Sequence, residues 1–178
     1  QTVCENSGSH YAYFTGISDG SATETQTVSI TATSSNQTLI PNANLTVSYT
    51  NPNSYAYVYY TAATGQYGTS VITVTANDNF TSTNTTSTTF TVTVLPFPSA
   101  ATAFTGSTTV CAGGGNYVYT EPAISNATGY TWSVPAGWTI VSGQGTATLT
   151  ASPGASATSG NITVYGTNSN ACGTGTSY

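Results

Sequence analysis

The chain contains no basic side chain except its one histidine. Among its 178 residues there is no Lys or Arg, five are Asp or Glu, and the formal net charge is −5. Charged residues make up 3% of the chain, against about 25% in an ordinary soluble domain. Nucleic-acid binding depends on Lys and Arg beside phosphate groups, so the sequence excludes a nucleic-acid partner. The same lack argues against arginine clamps on anionic substrates and against attraction to an anionic membrane surface.

Methionine and long apolar runs are also absent. There is no Met, even at position 1, which predicts that the chain is processed or excised from a longer polypeptide. No apolar run approaches the roughly 20 residues of a membrane span, so we expect no membrane insertion by this segment. The low charge, together with the richness in Thr and Ser, indicates an exported surface protein.

Side chains that carry chemistry are scarce. His10 is the single histidine, and because no nucleophile-elbow motif accompanies it, we interpret it as a strand-end residue. The carboxylates are Glu5, Asp19, Glu24, Asp78 and Glu121. No two of them are placed by the sequence across a cleft, as a glycosidase requires. We predict no enzyme activity and no cofactor, with calcium at the loop of Asp78 as a weak alternative.

Thr, Tyr and Val are abundant, and these residues fit a pleated, half-exposed surface. Apolar and Thr or Ser residues alternate over 27–31, 72–75 and 89–94. This period of two predicts strands whose apolar side faces a core and whose Thr side faces water. No stretch has a helical period. The sequence therefore predicts an all-β fold made of immunoglobulin-like β-sandwiches.

Two closely spaced prolines indicate a domain boundary. Pro96 and Pro98 follow a strand-like run and cannot continue a central strand. Short matches repeat across this point at one spacing: Cys4 with Cys111, and Ile17 with Ile124. We predict two tandem modules, residues 1–96 and 97–178.

The second module is predicted to lack its last strand. The run at 162–164 is followed by a loop and by Tyr178, with no counterpart of 89–94. Such a sandwich has a groove over its core and an unpaired edge. The strand would come from a continuation of the chain, be disordered, or be donated by another subunit, for example by Gln1–Cys4. Donation would join subunits head to tail into a filament.

Several motifs of the second module resemble the PKD-like domains of large Bacteroidetes surface adhesins. The motifs lie at 109–111, 129–138, 143–145, 160–164 and 170–173. The first module is similar to the cadherin-like or Ig-like repeats of such proteins, through 16–20, 32–36, 65–69 and 90–94. The resemblance implies a passive spacer or adhesive role in proteins of the gliding-motility type, often secreted by the type IX pathway, and no catalysis.

The resemblance also implies a disulfide. Cys111 and Cys172 bracket the second module at positions where the family pattern has cysteines, and export would permit their oxidation. Cys4 then remains a free thiol or pairs with a neighbouring module or chain. It has no second cysteine in its own module.

An aromatic stripe is the candidate interaction surface. Tyr55, Tyr57 and Tyr59 alternate with residues 56, 58 and 60, and they face outward if that second set faces the core. Such stripes stack on sugar rings or fill protein interfaces, although β-rich surfaces also use Tyr freely. Tyr67 is interpreted as a structural tyrosine corner, and Trp132 as a core residue.

The function predicted from these features is non-catalytic. The chain is expected to be a structural or adhesive module of an extracellular surface fibre or giant adhesin, which polymerises head to tail in one version of this hypothesis. Its partners would be neighbouring modules or identical subunits. The alternative is a carbohydrate-binding module that binds glycans through Tyr55, Tyr57 and Tyr59.

Overall fold

The chain forms two compact units, Gln1–Pro96 (unit 1) and Phe97–Tyr178 (unit 2). The computed structural model describes residues 1–20, 26–79, 84–170 and 172–178. Apart from one 3-10 turn at Asn42–Asn44, the regular elements of these residues are strands. The predicted all-β fold is confirmed, and each unit is an immunoglobulin-like β-sandwich.

Unit 1 consists of two sheets. Its strands are β1 (Thr2–Cys4), β2 (Ser9–Thr15), β3 (Ser29–Ser34), β4 (Leu45–Ser48), β5 (Tyr55–Thr61), β6 (Gly68–Asn77) and β7 (Thr85–Leu95). One sheet has the order β1-β7-β6-β3 and the other β2-β5-β4. Neighbouring strands are antiparallel except β1 and β7, which run parallel with Thr2 opposite Thr93.

The core of unit 1 lies between these sheets. Val92 and Val94 of β7 and Ile72 of β6 pack with Val58 and Tyr60 of β5 in one buried cluster. The predicted alternation over 89–94 is thereby confirmed, because the intervening Thr residues point away from the core. Burying each of these aliphatic side chains contributes about 1.5–3 kcal/mol.

The hydroxyl of Tyr60 is buried without a hydrogen-bond partner in the described part of the chain. Because an unpaired buried hydroxyl is costly, we expect Tyr60→Phe to raise the free energy of unfolding of unit 1 by about 1 kcal/mol. Burial raises the pKa of Tyr60 above its ordinary value of 10.0. The folded state therefore binds the phenolic proton more tightly than the unfolded state, and stability falls as the pH rises above about 10.

The measurement is urea unfolding of the whole chain at pH 7 and at alkaline pH. Both Trp residues are in unit 2, so Trp fluorescence follows unit 2 and circular dichroism follows both units. Tyr60→Phe should be more stable at pH 7 and lose less stability in alkali. A loss of stability at pH 7 would mean that the hydroxyl has a partner.

Unit 2 also has two sheets. Its strands are β8 (Tyr117–Thr120), β9 (Gly129–Ser133), β10 (Trp138–Ser142), β11 (Thr148–Pro153) and β12 (Thr163–Thr167). β10-β11-β8 form one antiparallel sheet, and β12-β9 form the other. Trp132 of β9 is buried at the centre, as predicted, with Tyr119, Leu149 and Val164.

The edge of β12 opposite β9 is covered by the chain itself. Thr174 forms a bridge with Thr167, and Tyr178 and Val164 exchange backbone hydrogen bonds of 3.1 and 3.3 Å. No regular strand follows β12 in the described residues, but 174–178 runs antiparallel along it. The predicted open edge is therefore wrong for this stretch, because buried backbone groups need partners and the residues after β12 supply them.

The suggested donor segment is also occupied. Gln1 and β1 bond to β7 of their own unit, for example through the Thr93 N–H and the Gln1 carbonyl oxygen at 2.8 Å. A segment paired in this way is not available to complete another subunit, so the suggestion that Gln1–Cys4 acts as the donor is wrong.

The predicted pairing of Cys111 with Cys172 is wrong as well. Cys111 is an exposed free thiol, whereas Cys172 is buried and disulfide-bonded. Cys4 is also disulfide-bonded, so of the two predicted alternatives, a free thiol or a cysteine paired with a neighbouring module or chain, the free thiol is wrong.

The positions of the two cysteines within unit 2 explain why they do not pair. The loop after Cys111 bonds to the end of β11 through the Gly113 N–H and the Pro153 carbonyl oxygen. Cys172 follows β12, whose last residue lies opposite Gly129, close to the turn that precedes β11. The cysteines thus lie towards opposite ends of β11, a strand about 17 Å long. A disulfide requires Cα atoms within about 7 Å.

Candidate binding surface

Five tyrosines share the outer side of the sheet β2-β5-β4. Tyr13 lies directly opposite Tyr57, and Tyr11 lies opposite Tyr59. The residues between them point inward: every second side chain of β5 is buried, and every second side chain of β2 is buried or half-buried. We call this surface the tyrosine face; its members are Tyr11, Tyr13, Tyr55, Tyr57 and Tyr59.

The rings of the tyrosine face touch one another but remain accessible. Ring centroids are 5.0 Å apart for Tyr13 and Tyr57 and 5.6 Å apart for Tyr11 and Tyr57. Across the whole face, neighbouring rings are inclined by 31° to 77°. Tyr11 and Tyr13 are still 56% and 52% exposed. The face is therefore an uneven aromatic surface, not a flat platform of parallel rings.

Tyr57 is the centre of this cluster. Desolvation by its neighbours raises the pKa of Tyr57, and repulsion from the phenolate forms of Tyr13, Tyr55, Tyr11 and Tyr59 raises it further. The Tyr57 phenol therefore stays protonated at neutral pH and can donate as well as accept a hydrogen bond.

The surroundings of the tyrosine face are neutral and polar. Thr46 of β4 lies opposite Tyr59, and Ser48 lies opposite Tyr57; both are exposed. No exposed residue of β2, β4 or β5 is charged. The face can thus offer aromatic rings and hydroxyl groups to a partner, but no ion pairs.

Sequence reasoning found three of the five tyrosines. The structure places Tyr55, Tyr57 and Tyr59 outward, with Ala56 and Val58 fully buried. Sequence reasoning missed Tyr11 and Tyr13, which belong to β2, a strand distant from β5 in sequence. Their signal was the same Tyr-x-Tyr alternation around a small residue, but the register that places β2 beside β5 is not visible in the sequence.

The single histidine, His10, packs at the start of a strand. Ser7 Oγ, in the turn between β1 and β2, lies 2.8 Å from Nε2 of His10, near the start of β2. The His10 ring lies 6.0 Å from that of Tyr60. The arrangement gives a serine and a histidine that pack at the end of a strand.

Most of the carboxylates lie in different parts of the chain. Glu121 is almost fully buried in unit 2, where its Oε1 accepts a hydrogen bond of 2.9 Å from the Thr102 N–H. Asp78, the weak calcium candidate, is in a turn whose Asn77 side chain accepts a hydrogen bond from the Asn79 N–H. Within the described ranges, no three His, Cys, Asp or Glu residues group as metal ligands. Glu24 lies outside the described residues.

A groove of about 460 Å³ lies over the core of unit 2. Its apolar lining includes Phe104, Tyr119, Trp138, Ile162 and Tyr178. Among the described residues that line it there is no acid, histidine or cysteine, so it offers apolar contact without catalytic groups.

Unit 2 is similar to a known family of domains. Residues 97–178 match the family model of the PKD-like domain, and this range coincides with unit 2. A search of curated proteins gives no significant match. In the described part of the chain we find no apolar helix of membrane-spanning length.

Solved structures of low sequence identity resemble the chain. One is the full ectodomain, Ig1 to Ig3, of mouse nectin-like molecule 4, with 18% identity and a TM-score of 0.31, covering 85% of this chain and 53% of that one. An endo-fucoidan hydrolase of glycoside hydrolase family 107 has 15% identity and a TM-score of 0.38, covering 99% and 26%. Tandem Ig repeats of Dlar have 14% identity and a TM-score of 0.31, covering 98% and 87%. This chain spans about half of the first and about a quarter of the second.

Proposed function

We propose that the chain is a non-catalytic structural and adhesive module of an extracellular surface fibre or giant adhesin, and that it docks other protein modules through the tyrosine face. The observation that carries the proposal is the cluster of five mutually inclined tyrosine rings, four of them exposed and the central Tyr57 half-buried, in a surface without charge. Tyrosine supplies a large, rigid contact area at low cost in side-chain entropy, and it is enriched in protein interfaces.

The inclination of the rings favours a protein partner over a flat polysaccharide. A sugar chain stacks on exposed ring faces, whereas here the rings lean against one another at 31° to 77°. An uneven surface of edges and hydroxyl groups matches the equally uneven surface of another β-sandwich. In a fibre this contact would be head to tail, between the tyrosine face and a different surface of the next subunit, with a rotation that does not close into a ring.

Sedimentation velocity of the whole chain over a range of concentrations tests the proposal. We expect open-ended self-association that Tyr57→Ala weakens about 30-fold, the effect of removing an interface hot spot. Tyr67→Ala is the matched control, because Tyr67 is also exposed in unit 1 but lies outside the tyrosine face. Circular dichroism checks that both variants are folded.

A glycan array with the same variants distinguishes the proposed docking role from carbohydrate binding. Specific glycan binding that is lost in Tyr57→Ala, without self-association, would replace this proposal with a carbohydrate-binding module. A chain that neither associates nor binds glycans would contradict a docking role of the tyrosine face.

A further inference from the structure

The tyrosine face brings two oxidisable rings from different strands close together. Tyr13 of β2 and Tyr57 of β5 are directly opposite each other, and their centroid distance of 5.0 Å is the shortest among the ring pairs of the face. The other pairs lie between 5.6 and 6.2 Å. Exposed side chains rotate on the picosecond to nanosecond scale, so the exposed ring of Tyr13 can sample contact with that of Tyr57 through the carbons next to their hydroxyl groups.

Few other side chains compete for an oxidant. The chain contains no Met, and its two Trp residues are in unit 2, where Trp132 is buried. The exposed thiol of Cys111 is the main competitor, and it is also in unit 2. In unit 1 an oxidant from solution therefore meets the tyrosine face before any sulfur-containing or indole side chain that is both free and exposed.

We propose that the tyrosine face is an oxidative modification site, at which Tyr13 and Tyr57 couple to a dityrosine that joins β2 to β5 covalently. The oxidant is hydrogen peroxide acting through a peroxidase. Each phenol gives up one electron and one proton, and the two resulting radicals form a carbon–carbon bond between their ortho positions. The hydrogens on those carbons then move to the oxygens and restore both phenols. Two hydrogen atoms leave in total, and the peroxide takes them up to form two waters.

The coupling depends on the geometry of the pair and not on what the face binds. Tyr57 is in contact with every other ring of the face, so a radical formed anywhere in the cluster can reach it. Tyr13 is the nearest ring from another strand. A bond between these two closes a loop across the sheet, and a bond of that kind restricts the unfolded chain as a disulfide does.

The sequence offers a simple way to detect this bond. Acids at positions 5, 19, 24 and 78 divide unit 1, so cleavage after Asp and Glu places Tyr13 in peptide 6–19 and Tyr57 in peptide 25–78. The dilute whole chain, with Cys111 alkylated, is treated with peroxidase and hydrogen peroxide, and the monomer is isolated under denaturing conditions. We expect the two peptides to be linked, with a mass lower than their sum by two hydrogens and with fragment ions that locate the bond at Tyr13 and Tyr57.

Conservative variants decide the assignment. Tyr13→Phe and Tyr57→Phe keep the ring but lack the hydroxyl, so each should lose this product. Tyr67→Phe should leave its yield unchanged. The proposal is overturned if the 6–19 and 25–78 peptides remain linked at the same yield in Tyr57→Phe, if dityrosine forms only between chains, or if none forms.

Discussion

Trp132→Ala is expected to lower the free energy of unfolding of unit 2 by about 3–5 kcal/mol, the usual cost of removing a buried aromatic side chain. The Trp132 ring is buried at the centre of unit 2 and lies 5.4 Å from that of Phe104. Its Nε1 donates a hydrogen bond of 2.8 Å to the Thr146 carbonyl oxygen. The substitution removes this donor and leaves the carbonyl oxygen without it. Because a small domain is stable by only about 5–15 kcal/mol, unit 2 would be close to unfolding.

Thermal and urea unfolding followed by circular dichroism measure this effect. Trp132→Phe keeps most of the apolar volume but loses the indole hydrogen bond and part of the ring, so it should cost less than Trp132→Ala, about 1–2 kcal/mol. Val118→Ala, at an exposed position of β8, should change stability by less than about 0.5 kcal/mol. A Trp132→Ala variant as stable as Val118→Ala would show that Trp132 does not hold the core together.

The second large effect is expected at Gly143, where we predict that Gly143→Ala destabilises unit 2 by about 4 kcal/mol or more. Gly143 has φ +91°, and an added Cβ would overlap the carbonyl oxygen of Thr148 and lie 3.0 Å from the Leu149 Cα. These atoms belong to the backbone of β11 and cannot move aside as a flexible side chain can. The substitution thus combines an unfavourable backbone conformation with a collision against a central strand.

Gly145→Ala is the matched control for this prediction. Gly145 also has a positive φ, of +90°, but an added Cβ would have no atom within 4 Å. It should therefore cost only the conformational term of about 1–2 kcal/mol. Equal losses for the two variants in urea unfolding would contradict the assignment of the larger effect to steric overlap.

Gly143 also positions the residue that follows it. The Gln144 side chain accepts a hydrogen bond of 2.9 Å from the Trp132 N–H and donates one of 3.1 Å to the Trp132 carbonyl oxygen. Gln144 thus satisfies the backbone of β9 where no neighbouring strand does so. The Gly-Gln-Gly motif at 143–145, which the sequence showed as part of a family resemblance, has this packing role.

Local alternation was sufficient to predict the strands and their inward faces. In β7, Val92 and Val94 are buried as the period of two requires, because the side chains of a strand alternate between its two sides whatever its partners are. The same rule placed Tyr57 outward from the sequence alone. Features that depend on a single strand are therefore accessible to sequence reasoning.

Features that depend on how strands meet were not accessible. Tyr11 and Tyr13 join the tyrosine face only because β2 pairs with β5 in one particular register. Tyr67 was predicted to be a structural tyrosine corner, yet it is 53% exposed, and its hydroxyl has no hydrogen bond in the described part of the chain. The pairing of Cys111 with Cys172 failed for the same reason, since residues that bracket a module in sequence need not meet in space.

The parallel pairing of β1 with β7 determines how unit 1 would respond to mechanical tension. When the disulfide of Cys4 is reduced, a pull along the chain enters unit 1 at Gln1 and leaves it at Pro96, next to the ends of two neighbouring strands that run in the same direction. Such a pull slides β1 along β7 and loads their hydrogen bonds together instead of opening them one by one. The bonds in question include those between the Thr93 N–H and the Gln1 carbonyl oxygen, at 2.8 Å, and between the Glu5 N–H and the Leu95 carbonyl oxygen, at 2.9 Å. Forced unfolding is governed by the unfolding rate, so this shear geometry makes unit 1 a mechanical clamp whose resistance to stretching is set by a barrier and not by its equilibrium stability.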